Sequence, residues 1–464
     1  MFKDTYFLDP KEALKVAQQQ NKSQNGYKLQ VCYYNGEKLD SNLPNLIHLP
    51  IENLARSLAL GVHRLPEVLS FDGMDISQEL KEEIKTYFKF AMGEAKVARE
   101  ELNKHYLNSL KNAKLDFNEE LRVYLFAHNS TQVMQHVSRA IADTFKDMGY
   151  NVLFDFDYGT RDVTCHKILK EFNPHIIINI NHMNNHILGK DVFNFVWFQD
   201  PMPFLLNPAP YKKRERDYVY ALLEMFAKML ERKGIPSQLQ GFCVNTKVYK
   251  TNSAIKREKK IVFIGSSYLK NIPYTKEIKQ AVSEIEKRFL SGESLGDDFA
   301  KEITYKYKLK ADFVSARLIP YVVRDIGLLE LLKVKNDYIL EIYGWGWEAY
   351  EEIKPYYKGA LKYGKEIADV YSSATYAFAP HQQYTLQQRV FEASACGAIP
   401  IVYDCRDISK EEDYGTSMCY YKTTKDLEKI LQSDIPQKDF DRLLLEHTYA
   451  SFVQKILKIV EENK

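Results

Sequence analysis

The stretch TLQQRVFEASACGAIPI, residues 385–401, carries the local signals of a helix, its end and a buried strand. Thr385, followed three residues later by Gln388, predicts a capping box at the start of the helix. Gly397 predicts its end, because glycine takes the left-handed backbone conformation without steric cost. The apolar run that follows, residues 398–403, is typical of a short buried strand. The segment therefore predicts one complete helix–strand unit.

Three polar side chains of this helix lie near one face, because Gln388, Arg389 and Glu392 are three or four residues apart. A helix N-terminus attracts anions, and an arginine beside it is typical of a phosphate site. Glu392, one turn further in, can accept hydrogen bonds from two neighbouring hydroxyls such as those of a ribose. A surface ion pair between Arg389 and Glu392 is the alternative explanation, and this segment alone does not decide between the two.

The bulk composition narrows the class of protein. A chain of 464 residues suggests two domains with an appendage, and 45% apolar with 27% charged residues indicates a globular protein. The 64 basic residues nearly balance the 62 acidic ones without a long basic tract, so we expect no nucleic-acid partner. The six cysteines form no C-x-x-C pair and have no metal-like spacing, which favours a reducing compartment.

The N-terminus does not have the charged and then apolar pattern of a signal peptide. No stretch approaches 18 uninterrupted apolar residues, the length that a transmembrane helix needs. We therefore expect a soluble cytoplasmic protein, for which peripheral contact with a membrane stays open.

The first part of the chain is the least informative. Residues 31–34 predict a strand that ends at the Asn35-Gly36 turn, and residues 77–115 form a long, charge-rich helical region. Residues 1–120 thus predict an N-terminal extension of mixed structure, helical in its second half. Its role is either to bind an acceptor or simply to extend the structure.

Beyond the extension, strands and helices alternate, which predicts parallel sheets covered on both faces. Residues 121–255 predict a first Rossmann-like domain, with a helix at 217–233 as its last long element. A polar linker at residues 251–259 marks the domain boundary. A strand with a small-residue turn, residues 260–267, opens a second Rossmann-like domain over residues 256–464, whose last helix is a candidate to cross back to the first.

Ligands of such sheets bind outside the carboxyl ends of the strands. In the first domain this edge collects five polar residues: His128, Asn129, His182, Gln199 and Asp200. In the second domain it collects the turns Gly265-Ser266 and Gly344-Trp345, His381, and the N-terminus of the helix between Thr385 and Gly397. Two such domains joined by a linker predict a fold in which they face a cleft, with room for a diphosphate and a base.

Several short motifs occur in a characteristic order in the second domain: YGWGW at 343–347, YKG at 357–359, IADVY at 367–371, His381, RVFEA at 389–393 with ACG at 395–397, and EHTY at 446–449. With these motifs the domain resembles that of GT-B glycosyltransferases, in the group-1 branch that includes the spore-maturation CgeB-like proteins. Residues 241–249 are similar to the segment that closes the first domain in many such enzymes. The resemblance covers residues 121–464.

The resemblance implies a nucleotide-diphosphate sugar donor bound mainly by the second domain. On that basis Arg389 and His381 face the diphosphate with Gly265 and Ser266 nearby, Glu392 faces the ribose with Gln388 beside it, and Gly344 and Trp345 face the base. Retaining members often carry a second glutamate eight residues before the one equivalent to Glu392, where it contacts the donor sugar. Here that position is Tyr384, so the stereochemical outcome stays open.

An inverting transferase also needs a general base for the acceptor hydroxyl. The candidates are Asp200, His182 and His128, at the strand ends of the first domain. Each has a structural explanation too, because an aspartate before a proline can cap a turn and loop histidines can bind backbone groups. The D-x-D sequence at residues 155–157 ends a strand, where acidic residues are ordinary, and we assign no metal and no cofactor.

Trp345 and Trp347 fit base stacking and core packing equally well. The sequence as a whole predicts a metal-independent, hexosyltransferase-type glycosyltransferase, whose acceptor is a glycan, a protein or a lipid-linked intermediate. The alternatives are a nucleotide-sugar epimerase on the same fold, and a non-catalytic sugar-nucleotide-binding or scaffold protein.

Overall fold

The computed structural model describes residues 3–23, 30–61, 63–128, 132–157, 163–200, 202–207, 209–269 and 272–464. The chain divides into two compact units. The N-terminal unit comprises Met1–Gln240 and Ile456–Lys464, and the C-terminal unit comprises Gly241–Lys455. No described helix is both long and apolar enough to cross a bilayer.

The N-terminal unit begins with a small parallel sheet in the order β3-β2-β1-β4. Its buried face includes Tyr6, Tyr33, Leu54 and Leu58. Only the second of these strands and the long helix were expected from the sequence, because three-residue strands are too short to show a hydrophobic period. The elements are β1 Thr5–Phe7, α1 Pro10–Ser23, β2 Cys32–Tyr34, β3 Leu46–His48, α2 Leu54–Ala59, β4 Val68–Ser70 and α3 Gln78–Lys111, with a 3-10 turn at Ile51–Asn53.

The predicted long helix is confirmed as α3, which begins after Ser77, whose Oγ accepts a hydrogen bond from the Leu80 amide (3.2 Å). Arg99 is buried on its inner face. Its guanidinium donates to the carbonyl of Leu58 (2.7 Å) and to Thr164 Oγ1 (2.8 Å). Arg99 therefore ties the small sheet to the layer that follows it.

A six-stranded parallel sheet completes the N-terminal unit, in the order β10-β9-β8-β7-β5-β6. The order reverses between β5 and β7, which pair in parallel, so the crevice for a ligand lies at the carboxyl ends of these two strands. The elements are β5 Arg122–His128, α4 Gln132–Asp147, β6 Asn151–Asp157, α5 Val163–Phe172, β7 Ile176–Ile180, β8 Phe193–Phe198, α6 Pro203–Leu206, β9 Asp217–Ala221, α7 Glu224–Arg232 and β10 Gln238–Leu239, with a 3-10 turn at Asn185–Ile187.

The helix predicted at residues 217–233 begins only at Glu224, because its first five residues form strand β9. Aromatic and β-branched side chains at residues 218–220 favour a strand. Asp217 starts the strand and is buried, and it accepts hydrogen bonds from the side-chain amides of Asn185 (2.6 Å) and Asn194 (2.9 Å). Cross-strand pairing and these buried contacts override the helical pattern.

The C-terminal unit contains a five-stranded parallel sheet in the order β12-β11-β13-β14-β15, which reverses between β11 and β13. The predicted α/β class with two Rossmann-like domains is thus confirmed. The elements are β11 Glu258–Ile264, α8 Lys276–Leu290, α9 Asp297–Tyr307, α10 Ala311–Phe313, α11 Ile319–Lys333, β12 Ile339–Tyr343, α12 Lys365–Ser373, β13 Ala374–Ala379, α13 Gln388–Ala395, β14 Ile399–Tyr403, α14 Arg406–Ser409, β15 Cys419–Tyr421, α15 Thr424–Gln432 and α16 Asp441–Leu444, with a π-helical turn at Val314–Leu318 and 3-10 turns at Trp347–Ala349 and Lys354–Tyr356. The last helix, α17 Tyr449–Asn463, begins in this unit, and its residues from Ile456 on belong to the N-terminal unit.

The division between the units falls after Gln240, before the polar linker that the sequence suggested as the boundary. Residues 241–250, which lie between this division and the linker, pack within the C-terminal unit, where Val244 and Tyr249 are buried. The Val244 amide donates to the carbonyl of His447 (2.8 Å), and the Tyr449 amide donates to the carbonyl of Val244 (3.2 Å). Composition marks the exposed linker but does not reveal this pairing with the end of the chain.

Candidate functional site

The crevice of the C-terminal sheet lies where β11 and β13 end. Gly265 and Ser266 follow β11, and His381 follows β13 by two residues. These strands are neighbours at the reversal of strand order, the place where open α/β sheets bind ligands. The structure therefore brings together three of the residues that the sequence predicted for a donor site.

Helix α13 begins at Gln388, but the predicted capping box is absent and the prediction is wrong. The hydroxyl and the amide of Thr385 both donate to Glu411 Oε2 (2.8 and 2.7 Å), and the Leu386 amide donates to Glu411 Oε1 (3.2 Å). A carboxylate is a stronger acceptor for these donors than a glutamine side chain. Glu411 therefore holds the segment that leads into α13. The predicted helix end is confirmed, with Gly397 at φ 81°.

Arg389, in the first turn of α13, lies against the end of β11. A methyl group at Gly265 would come within 2.7 Å of Arg389 Nη1, so the missing side chain at Gly265 lets the guanidinium lie this close to the strand end. Arg389 Nη1 is buried and has no hydrogen-bond partner. The alternative ion pair with Glu392 is not formed in the described structure. A buried guanidinium nitrogen without a partner calls for an explanation, and a bound anion is one.

Glu392 is buried one turn further along α13. Its Oε1 accepts hydrogen bonds from Gln388 Nε2 (2.9 Å) and the Tyr363 hydroxyl (3.4 Å), and Gln388 Nε2 also lies 2.8 Å from that hydroxyl. Burial raises the pKa of Glu392 to about 7. Gln388 and Glu392 therefore form the predicted pair on one helix face. Their contact with a ribose stays a prediction.

The two tryptophans after β12 have different environments. Trp347 is fully buried, its Nε1 donates to the carbonyl of Gly265 (2.6 Å), and it packs edge-on against Phe263 at 5.3 Å between ring centroids. Trp345 is 70% exposed. The structure therefore assigns core packing to Trp347 and leaves the face of Trp345 open for stacking.

The loops after β11 and β12 are bound to each other. The Trp345 amide donates to Ser266 Oγ (3.2 Å), and the Ser267 amide donates to the carbonyl of Trp345 (2.8 Å). Gly344 has φ 132°, and a methyl group there would lie 2.2 Å from the carbonyl oxygen of Gly265. Gly344 is therefore required by the backbone.

His381 is buried beside two arginines. Burial, together with the charges of Arg324 and Arg389, holds the pKa of His381 well below its ordinary value. Its Nδ1 accepts a hydrogen bond from the Gln383 amide (3.2 Å), and its ring lies 4.4 Å from that of Tyr384. The imidazole is therefore neutral and can offer a hydrogen bond but no charge.

Arg324, on α11, is a residue of this crevice that our sequence analysis missed. Its Nη1 donates to the carbonyl of Ser266 (3.1 Å), and its guanidinium lies 5.3 Å from the ring centroid of Tyr268. Burial and the charge of Arg389 lower the pKa of Arg324 to about 10. A signal was present: Arg324 and Asp325 are adjacent charged residues within an otherwise largely apolar helix, IPYVVRDIGLLELLK.

The corresponding edge of the N-terminal sheet contains Asp200. Asn181, at φ 65°, accepts hydrogen bonds through Oδ1 from the amides of Gln199 (2.7 Å) and Asp200 (3.2 Å), and its Nδ2 donates to Asp200 Oδ2 (3.2 Å). Burial raises the pKa of Asp200. His182 is half-buried in the loop that follows β7. The side chain of His128, like Asn129, lies outside the described residues, although the His128 backbone ends β5.

Buried asparagines support this loop. Asn184 Nδ2 donates to Asn179 Oδ1 (2.7 Å), and Asn179 Nδ2 donates to Asn194 Oδ1 (2.7 Å). Buried side-chain amides that are hydrogen-bonded to one another in this way hold a loop in one conformation. Across the described ranges, no three or more histidine, cysteine, aspartate or glutamate side chains are grouped so as to hold a metal ion.

Residues 324–458 match the family described as "Glycosyl transferase-like". No curated protein matches the chain in sequence. Similar solved structures include sucrose-phosphate synthase from Thermosynechococcus elongatus (8% identity, TM-score 0.44, covering 74% of this chain and 98% of that one). Another is AviGT4 of avilamycin A biosynthesis (12% identity, TM-score 0.40, covering 73% of this chain and 96% of that one). A third is Anabaena HepE in complex with UDP and glucose (8% identity, TM-score 0.39, covering 74% of this chain and 99% of that one). The C-terminal part of the chain thus carries a glycosyltransferase-like domain.

Proposed function

We propose that the protein is a glycosyltransferase of the GT-B type, in the CgeB-like branch, which transfers a hexosyl group from a nucleotide-diphosphate sugar. The observation that carries this proposal is Arg389 Nη1, buried without a partner against Gly265 at the strand-order reversal. The family match over residues 324–458 supports the same reaction class.

The donor then lies along the carboxyl edge of the C-terminal sheet. Arg389 and the N-terminus of α13 bind the diphosphate, since both favour anions. Gly265 and Ser266 approach the phosphates through their backbone, and His381 offers a neutral hydrogen bond. Trp345, with its exposed face, stacks on the base. Gln388 and Glu392 are assigned to the ribose, with Gly344 shaping the loop that carries Trp345.

In the transfer step the acceptor oxygen attacks the anomeric carbon, and the bond from that carbon to the diphosphate oxygen breaks. Arg389 and the α13 N-terminus compensate the charge that develops on the leaving diphosphate. Asp200 takes the proton from the acceptor hydroxyl. The raised pKa of Asp200 makes its carboxylate a better proton acceptor, and the side chain of Asn181 orients that carboxylate. His182 and His128 are the alternative bases.

We further propose that no metal and no additional cofactor are needed, since the arginine and the helix end supply the positive charge. The acceptor is a glycan, a protein side chain or a lipid-linked intermediate. We expect the protein to act in the cytoplasm, with peripheral membrane contact in the case of a lipid-linked acceptor. Nucleic acid is not an expected partner.

The test is thermal-shift binding of nucleoside diphosphates and their sugars in EDTA, with wild type beside Arg389→Ala. A ligand that binds only the folded state stabilises it by on the order of 3 kcal/mol at a hundredfold excess over its Kd. We expect a shift with one nucleotide family, lost in Arg389→Ala and kept in the control Arg317→Ala, which removes an exposed arginine. No shift with any nucleotide in folded wild type would overturn the proposal.

A second candidate is a sugar-nucleotide-binding protein without turnover. Tyr384 favours it, because its ring packs on His381 (4.4 Å between centroids) at the position where a glutamate was expected. Donor binding without transfer across a panel of acceptors would select this candidate. An epimerase, in contrast, would release a changed sugar without any acceptor.

A further inference from the structure

We propose that Arg324 is a second phosphate-binding residue of the donor site, so that two guanidinium groups, one from α11 and one from α13, share the two phosphates. This inference rests on the proposed function. It deepens that function by assigning a binding role to a residue outside the motifs that suggested the family.

The first argument is charge. Arg389 Nη1 lies against Gly265, and Arg324 Nη1 donates to the carbonyl of the next residue, Ser266 (3.1 Å), so both guanidinium groups lie at the same turn after β11. Neither arginine has a carboxylate within ion-pair distance among the residues that the structure describes. Two like charges held together at partly buried positions destabilise each other unless an anion lies between them. The diphosphate of a nucleotide sugar carries two negative charges, which match.

Asp325, the acid next in sequence, is engaged elsewhere. It is fully buried, and its Oδ2 accepts hydrogen bonds from Ser267 Oγ (2.5 Å) and the Tyr350 hydroxyl (2.7 Å). These contacts fix the loops after β11 and β12. Asp325 therefore stabilises the loop architecture. Its charge acts on Arg324, but the two side chains form no ion pair in the described structure.

The second argument is the set of unused donors on Arg324. A guanidinium has five N–H groups. Within the described structure Arg324 makes one hydrogen bond, to the carbonyl of Ser266, and its Nε is buried without a partner. The contact with the Tyr268 ring holds the guanidinium plane without using an N–H. Unused donors at the end of β11 lie where a phosphate group would accept them.

A purely structural role for Arg324 makes a different prediction. If Arg324 only binds Ser266 and packs on Tyr268, its substitution should change the Kd of every ligand equally. If Arg324 contacts a phosphate, the change in Kd should depend on how many phosphates the ligand has. The comparison of a nucleoside diphosphate with its own monophosphate separates these roles, since base and ribose are the same in both.

The experiment measures Kd by calorimetry for UDP, GDP, ADP and CDP, each beside its monophosphate, with wild type, Arg324→Gln, Arg324→Lys and the exposed-site control Arg317→Gln. For the base that binds, we expect Arg324→Gln to weaken the diphosphate by at least about tenfold, the size of one charged hydrogen bond, and the monophosphate by less than about threefold. Arg324→Lys keeps the charge, so we expect it to retain part of the preference, and Arg317→Gln should change neither Kd.

An equal loss for diphosphate and monophosphate, or no loss for either, in Arg324→Gln would overturn the inference and leave the proposed function standing. If Arg324→Gln does not fold, Arg324→Met, which also removes the charge, decides by the same criterion: an equal loss for diphosphate and monophosphate, or no loss for either, would overturn the inference. Absence of binding by any nucleotide to folded wild type would instead remove the proposed function itself.

Discussion

The ligand edges of the two Rossmann-like sheets differ in chemistry although their strand order is alike. In both sheets the first strand lies between the second and the third. The C-terminal edge presents Arg324 and Arg389 without ion-pair partners in the described structure, beside a neutral His381. The N-terminal edge presents Asp200, held by Asn181.

Strand order marks the same edge of both sheets as the place for a ligand, and the side chains at each edge decide which ligand would fit. Unmatched positive charge suits the phosphates of a donor, while a carboxylate with a raised pKa suits proton removal from a hydroxyl. Variants at the two edges should therefore change different steps of one reaction.

The largest effect is expected at the N-terminal edge. Asp200→Asn should lower kcat by about 10²- to 10⁴-fold, the usual contribution of a general base, and leave the Kd of the nucleotide unchanged. Since a base must be ionised, wild-type kcat/KM should fall as the pH drops through the raised pKa of Asp200. Steady-state kinetics measures kcat and kcat/KM, and calorimetry measures the Kd of the nucleotide. A kcat within about threefold of wild type would move the role to His182 or His128, whose alanine variants are tested in parallel.

An intermediate effect is expected from Glu392, the buried carboxylate of the C-terminal edge. Its pKa is about 7 in the folded protein, above its ordinary value, so the folded state binds the proton more tightly than the unfolded state. The stability that this provides is complete below about pH 4 and is lost as the pH rises to about 7.

Glu392→Gln has no such titration. Its free energy of unfolding should therefore match that of wild type near pH 4 and exceed it above pH 7, by on the order of 3 kcal/mol at most, and its melting temperature should rise accordingly. Thermal melts across this range check the prediction. If the difference in melting temperature between wild type and Glu392→Gln does not change with pH, the pKa of Glu392 is not raised by folding.

The smallest effect is expected from the exposed aromatic of the C-terminal edge. Trp345→Ala should weaken nucleotide binding about tenfold, within the range of one base–aromatic stack, and leave the melting temperature unchanged. Its matched control is Trp347→Ala, which should cost roughly 3–5 kcal/mol of folding free energy because Trp347 is fully buried. Unchanged affinity in Trp345→Ala would place the base elsewhere.

Local patterns predicted much of this architecture. The α13–β14 unit and its end at Gly397 followed from glycine and apolar spacing, and the strand-end positions of Asp200, Gly265 and His381 followed from the alternation of strands and helices. These features depend on residues close together in sequence, which is why one chain suffices to predict them.

The features that escaped prediction depend on contacts between distant residues. The capping box failed because Glu411, 26 positions beyond Thr385, takes its donors. Strand β9 and the strands of the small four-stranded sheet are stabilised by pairing with other strands rather than by their own sequences. Arg324 joined the site because α11 places it against Ser266, 58 positions earlier in the chain.

The mutual binding of the loops after β11 and β12 has a consequence for how this site can diversify. Gly344 approaches Gly265 so closely that neither loop can gain or lose a residue without breaking the hydrogen bonds between Ser266, Ser267 and Trp345. On the proposed function, we therefore expect a change of donor nucleotide to arise by exchange of side chains such as Trp345 on a fixed backbone. Libraries that vary the side chains and keep both loop lengths are the productive way to re-engineer the site.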